Sequence, residues 1–146
     1  MRRDLGPNDL GDLLDQPLLA VLATRLKDGS TLLSPVWHEW GDGGFSVCIP
    51  AGDPKLAQIE RDPRVSIVVS ENALPYRGIE VRGVAAPSRR PFAATMRRLA
   101  LRHFGPGADG LYPDSVAGVV VRIEPGRIRC WDFADDMEAF EGHGVP

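Results

Sequence analysis

The chain has little of what cofactor-free enzymes commonly use. Its 146 residues include two cysteines, Cys48 and Cys130, and three histidines, His38, His103 and His143. The cysteines lack the paired spacing of a zinc site, and the scattered histidines form no metal motif. No secretory leader precedes the thiols, so both are expected to be reduced. No histidine stands at a spacing that would activate either one, and buried inert thiols are the simpler reading. Nor is there an apolar run of the roughly 18 residues needed to span a bilayer. Met1-Arg2-Arg3-Asp4 is followed by no apolar stretch with a small-residue cleavage site, so a cytoplasmic protein is expected. A net charge of −3 leaves no electrostatic footprint for nucleic acid or an anionic membrane. No GxGxxG follows a strand, and neither a phosphate-loop lysine motif nor a GxSxG elbow is present. A chain whose chemistry is carried by a bound cofactor would look like this, because it needs binding groups and not a triad.

What is present reads as one globular domain over residues 1–146. The hydrophobic share is 43% and the charged share 25%, both ordinary for a folded domain of this length. Residues 8–15 suggest a short N-terminal helix with Leu10, Leu13 and Leu14 on one face. Leu18 to Leu26 is an apolar run of strand length. Asp28-Gly29 then marks a hairpin turn, with Thr31 to Trp40 as the return strand. Pro35 within it points to an edge or a bulge, since proline gives no N–H to a ladder. Gly41 to Gly44 is a second tight turn, leading to a strand over Phe45 to Ile49.

Asp53 to Arg61 has the pattern of a helix, with Asp53 as cap and Pro54 at its first position. Strands are expected at Val65 to Ser70 and at Gly78 to Ala86, where Gly83 suggests a bulge or a close backbone approach. Pro91 to Phe104 is the longest helical pattern, with Phe92, Met96, Leu99 and His103 on one stripe. Ala117 to Glu124 and Arg127 to Asp132 read as a hairpin about a Pro125-Gly126 turn. The tail over 134–146 is expected to be mobile towards its end. The sum is a mainly β fold: a closed or split barrel of about 6–7 mostly antiparallel strands with three short helices.

Ordered pieces of the chain resemble the pyridoxamine 5′-phosphate oxidase-like superfamily, the flavin mononucleotide (FMN)-binding split barrels. These pieces are Leu22-Ala23-Thr24, Asp28-Gly29-Ser30, Ser34-Pro35-Val36-Trp37, Lys55, Arg61-Asp62-Pro63-Arg64-Val65, Pro75-Tyr76-Arg77 and Glu80-Val81-Arg82-Gly83. The likeness runs from about Leu14 to Asp132. Within the superfamily the chain is most similar to the B-type oxidoreductases that use the deazaflavin F420. The resemblance implies a homodimer with cofactor sites at its interface, F420 or FMN as cofactor, and hydride transfer to a small unsaturated or quinone-like substrate. Relatives that bind haem, or store a flavin or deazaflavin without turnover, or use no known cofactor, keep those alternatives open. His38 and His103 are the haem-ligand candidates outside the tail.

The same resemblance implies roles for particular residues. Ser34, Pro35 and Val36 would lie against the cofactor ring, the alternative being that Pro35 only blunts an exposed edge. Lys55 would hold the phosphate at a helix start that already favours anions, and a plain surface lysine is the alternative. Gln58, one turn on, would reach the same phosphate or its linker. Tyr76 and Arg77 would border the substrate pocket, or else form an ordinary proline turn. Trp131 would reach the partner subunit's site, or serve as a core or interface residue; Trp37 and Trp40 read as interface or core aromatics, with pocket lining as the alternative. No side chain is assigned as catalytic. One stretch departs from the family pattern: where relatives have Ser-Thr and arginines, this chain has Cys48 to Pro54. Asp53 there adds a negative charge and, as a cap, competes for the N–H groups a phosphate would use.

Overall fold

A computed structural model describes residues 4–141. Seven strands form one sheet: β1 (Ala20–Arg25), β2 (Thr31–Val36), β3 (His38–Gly41), β4 (Gly44–Pro50), β5 (Arg64–Ser70), β6 (Gly78–Pro87) and β7 (Gly118–Trp131). Helices are α1 (Pro54–Arg61), α2 (Phe92–Phe104) and α3 (Ala134–Glu141). Every strand pairing is antiparallel, in the order β2-β1-β5-β6-β7-β4-β3. The mainly β architecture, with its curled half-barrel, is therefore the one the sequence predicts. Among the described residues no helix is long and apolar enough to cross a membrane.

The curl follows from one residue. The predicted return strand over 31–40 is broken at Trp37 into β2 and β3. β2 pairs only with β1 at one edge of the sheet, and β3 only with β4 at the other. A single residue cannot bridge a flat seven-stranded sheet, whose strands lie about 4.8 Å apart. The sheet therefore curls until its two edges meet at Trp37. Alternation of apolar side chains puts Leu22, Phe45, Val47, Ile67, Ile79 and Ile123 inside the curl, each at most 1% exposed.

Two further expectations give way. The N-terminal helix over 8–15 is instead two 3-10 turns, Pro7–Asp9 and Leu13–Asp15. Gly11, at φ +59°, interrupts them, while Leu10 and Leu13 still reach the core. The hairpin about Pro125-Gly126 is instead the middle of the continuous strand β7. Arg82 pairs with Arg127 and Gly83 with Pro125, so Gly126 is the extra residue of a bulge. A bulge takes up proline and glycine as readily as a turn does, and the long-range pairing with β6 selects it. The bulge predicted at Gly83 is thus present, with Pro125-Gly126 as its other half. Of the predicted tail, residues 134–141 form α3, and 142–146 lie outside the described residues together with His143.

Helix α1 forms as its sequence dictates. The Asp53 side chain accepts the Lys55 N–H at 2.9 Å, Pro54 starts the helix, and the Asp62 N–H closes it on the Gln58 carbonyl. Helix α2 packs on β4 and β7, burying Phe92, Thr95, Leu99 and Ala100. Gly118 makes that approach possible, since a β-carbon there would stand 2.3 Å from the Phe92 ring.

Candidate functional site

A cleft of about 390 Å³ opens at the seam where the sheet edges meet. Pro35, Val36 and Trp37 line it from the end of β2 and the crossing point. Cys48 and Pro50 come from β4, Asp53 and Lys55 from the start of α1, and Met96 from α2. Leu19, ahead of β1, and Tyr112, in the loop after α2, complete it. Three residues expected from sequence, Pro35, Val36 and Lys55, thus share one cleft. The fold brings them together by curling, since β2 and α1 are not neighbours in the chain.

The walls are mostly apolar and aromatic. Trp37 stacks on His103 with ring centroids 4.7 Å apart and planes 7° from parallel. Phe104 and Tyr112 meet the Trp37 ring edge-on, at 5.2 and 6.3 Å. Such packing holds the indole in one orientation. Burial, and secondarily the charge of Arg102, pulls the His103 imidazole below its ordinary pKa. The Cys48 thiol is pushed up to about 12, chiefly by burial and further by Glu39. It is therefore a neutral part of the wall at physiological pH, half-buried on the cleft where the sequence leads one to expect a buried thiol. Glu39 itself is held by Arg98 through two 3.0 Å bonds, with Arg90 at 3.4 Å.

Lys55 is the sole cation lining the cleft among the described residues, and it is already paired. Its ammonium lies 2.9 Å from Asp53 Oδ2, and both side chains are mostly buried. Burial alone would raise the Asp53 carboxyl, but the Lys55 N–H and ammonium together hold it below its usual pKa. The cap expected at Asp53 is therefore present: its carboxylate occupies the helix start and holds the Lys55 ammonium as well.

The other candidates lie apart from this cleft within a single chain. Ser34 falls on the opposite face of β2 from Pro35, across from Leu22. The Gln58 side chain is buried, and its Oε1 accepts the Thr24 hydroxyl at 2.8 Å. Trp131 ends β7 opposite Gly78, with the Arg129 guanidinium 4.9 Å above its ring. Tyr76 is exposed and takes φ +56° in a loop that also holds the cis Leu74-Pro75 bond. The Arg77 guanidinium is engaged by Glu71, Asp12 and the Leu10 carbonyl, so it pins the N-terminal segment and has little left to offer an acidic ligand. His38, one of the two haem-ligand candidates, is fully buried among core residues and does not line this cleft. Leu19 and Tyr112 carry no signal as site residues in the sequence, because only the closure of the sheet gathers them, whereas Pro50 lies in the Cys48 to Pro54 stretch that departs from the family pattern.

The cleft suits a flat conjugated ring. It offers aromatic and aliphatic walls, and β2 is an edge strand with a partner on one side only among the described strands. At the Lys55 end the fit to an anion is weaker, because the ammonium is shared with Asp53.

Comparison with known proteins gives the same picture. The family described as pyridoxamine 5′-phosphate oxidase matches residues 8–132. A conserved hypothetical protein from Mycobacterium tuberculosis superposes with a TM-score of 0.71 at 25% identity, over 99% of this chain and 91% of that one. An F420 reductase gives a TM-score of 0.69 at 28% identity, over 84% of this chain and 98% of that one. The heme storage protein from Vibrio cholerae shares the fold, with a TM-score of 0.62 at 20% identity over 84% of this chain and 92% of that one. No curated protein matches the chain.

Proposed function

The chain belongs to the pyridoxamine 5′-phosphate oxidase family, and from that premise we propose that it binds a flavin-type ring, F420 before FMN, in the seam cleft. The reaction proposed is hydride transfer between that ring and a small unsaturated or quinone-like substrate. The observation that carries this reading is the meeting of Pro35, Val36 and Lys55 in one aromatic-walled cleft. The similarity to an F420 reductase supports the choice of ring.

When bound, the ring supplies the hydride chemistry. The chain's own residues do the rest. Trp37 is held in place by His103 and presents a rigid wall; Leu19, Val36 and Met96 keep water from it. Pro35 leaves its stretch of the β2 edge without an N–H. Lys55 faces the anionic end. Cys48 stays a protonated thiol and takes no part in proton transfer.

The working unit in this reading is a homodimer. Leu19, Val21 and Leu33 are 54%, 38% and 65% exposed, and Val21 and Leu33 share the outer sheet face with Pro35, which sits opposite Val21. A second copy seated there would cover apolar surface and wall the open side of the cleft. A haem reading finds less support, because His38 is sealed in the core and the other candidate, His103, is stacked flat on Trp37 with its Nε2 buried.

The test is a fluorescence titration of the purified chain with F420 and with FMN, alongside its mass by sedimentation. Saturable micromolar binding by a dimer is expected. Lys55→Ala should weaken binding of the anionic cofactor by about 1–3 kcal/mol, the worth of a charge-assisted hydrogen bond. Failure of either ring to saturate a folded protein would overturn the reading.

A further inference from the structure

We infer that Asp53 makes the anion end of the cleft select against a terminal phosphate dianion. A ring whose side chain carries no charge or a single charge at that point is preferred over one ending in a phosphate monoester. The inference rests on the cleft reading above and narrows its ligand class.

A helix start binds phosphate through the free N–H groups of its first turn. Here none is free in the first three positions. Pro54 has no N–H, the Lys55 N–H is bonded to Asp53 Oδ1 at 2.9 Å, and the Leu56 N–H to the Asp53 carbonyl at 3.1 Å. The stretch Ile49-Pro50-Ala51-Gly52 before it brings no hydroxyl and no cation. What remains is the Lys55 ammonium, 2.9 Å from Asp53 Oδ2. The local charge of that pair is zero.

A phosphate monoester carries about −1.5 to −2 at neutral pH. To reach Lys55 it must displace a carboxylate that is itself satisfied, or lie beside it. Both routes cost affinity, because the carboxylate and the ammonium are mostly buried side chains that water screens little. A ring bearing only hydroxyls on its side chain meets no such opposition, and a phosphodiester, with one charge, meets less.

The experiment compares dissociation constants of riboflavin, FMN and F420, whose phosphate is a diester, for the full chain and for Asp53→Ser. Serine keeps a capping hydroxyl and removes the charge; Asp53→Asn, a capping amide of the same shape, serves as a second variant should the first fold poorly. The wild-type chain is expected to bind riboflavin at least as tightly as FMN. Either variant should tighten FMN tenfold or more and leave riboflavin within twofold. Tenfold tighter binding of FMN than riboflavin by the wild-type chain overturns the inference alone, as does an unchanged FMN-to-riboflavin ratio in both variants. Binding of F420 with both flavins excluded also overturns it and leaves the cleft reading standing. Binding of none of the three overturns both.

Discussion

Arg77 grips Glu71 through both carboxylate oxygens, Nε to Oε1 and Nη2 to Oε2, each at 2.8 Å. The Arg77 backbone N–H adds a third bond to Oε1 at 3.0 Å, and Nη1 donates to the Leu10 carbonyl at 2.8 Å. The Arg77 guanidinium beside it holds the Glu71 carboxyl below its usual pKa. The pair ties the N-terminal turns to the loop between β5 and β6.

Removal of the guanidinium should therefore act on stability. Arg77→Ala leaves the Glu71 carboxylate, whose side chain is 5% exposed, without its partner. The expected loss is about 3 kcal/mol in urea unfolding. Arg77→Lys should recover less than half of that, since an ammonium cannot reproduce the two-pronged geometry. Ring affinity should be unchanged in both, because Arg77 does not line the cleft. A variant of wild-type stability that had lost ligand binding would return Arg77 to the site.

Local chemistry was legible in the sequence where one residue type had one conformational use. Asp28-Gly29 turns the first hairpin, with Gly29 at φ +85°, and Asp53-Pro54 caps α1. The break at Trp37 was not legible. Apolar and aromatic residues recur from Leu32 to Trp40 with only Ser34, His38 and Glu39 between them, and nothing local says that the pairing partner changes from β1 to β4 at the midpoint. The cleft inherits that limit. Pro35, Val36 and Lys55 were reachable through family resemblance, whereas Tyr112 lies in a glycine-rich loop with no periodicity and Leu19 reads as part of an apolar strand. Both enter the site only because the sheet closes.

His38 should make the fold acid-sensitive well above the carboxylate range. Its side chain is fully buried and edge-on to Phe45 at 5.5 Å, and neither ring nitrogen has a hydrogen-bond partner. The Leu18 backbone favours the charged ring slightly but bonds neither nitrogen. Burial, with repulsion from Arg102 and His103, pulls the pKa from 6.5 down to about 4. As the pH falls below 6.5 the unfolded chain takes up a proton that the folded chain refuses until about 4. Stability is thus complete above 6.5 and falls across that window, by up to about 1.4 kcal/mol per pH unit. Glu39 and Glu71 have folded pKa values below 4.5, so their losses lie lower. Urea midpoints at about pH 7, 6 and 5 should show the slope, and His38→Leu should remove most of it, leaving the share of His103, whose folded pKa is also lowered. A wild-type midpoint constant over this range would mean that the ring protonates within the fold.

The bulge between β6 and β7 gives the sharpest contrast of two substitutions. At Gly83 a β-carbon would stand 2.0 Å from the Glu124 carbonyl oxygen and 2.9 Å from its carbon. Both are backbone atoms, so no rotamer change relieves the clash, and the strands must part where the register shifts. At Gly126, the extra residue of the bulge, the nearest neighbour of a β-carbon is the Arg82 carbonyl at 3.3 Å, which a shift of a few tenths of an ångström accommodates. Gly83→Ala is therefore expected to cost more than about 3 kcal/mol, and Gly126→Ala less than about 1 kcal/mol. A tight hairpin turn at Pro125-Gly126 would reverse the order, because its glycine would carry the conformation that a side chain resists. Thermal unfolding of the two variants side by side separates one long β7, pairing with β4 and β6 at once, from two short strands folded back on each other.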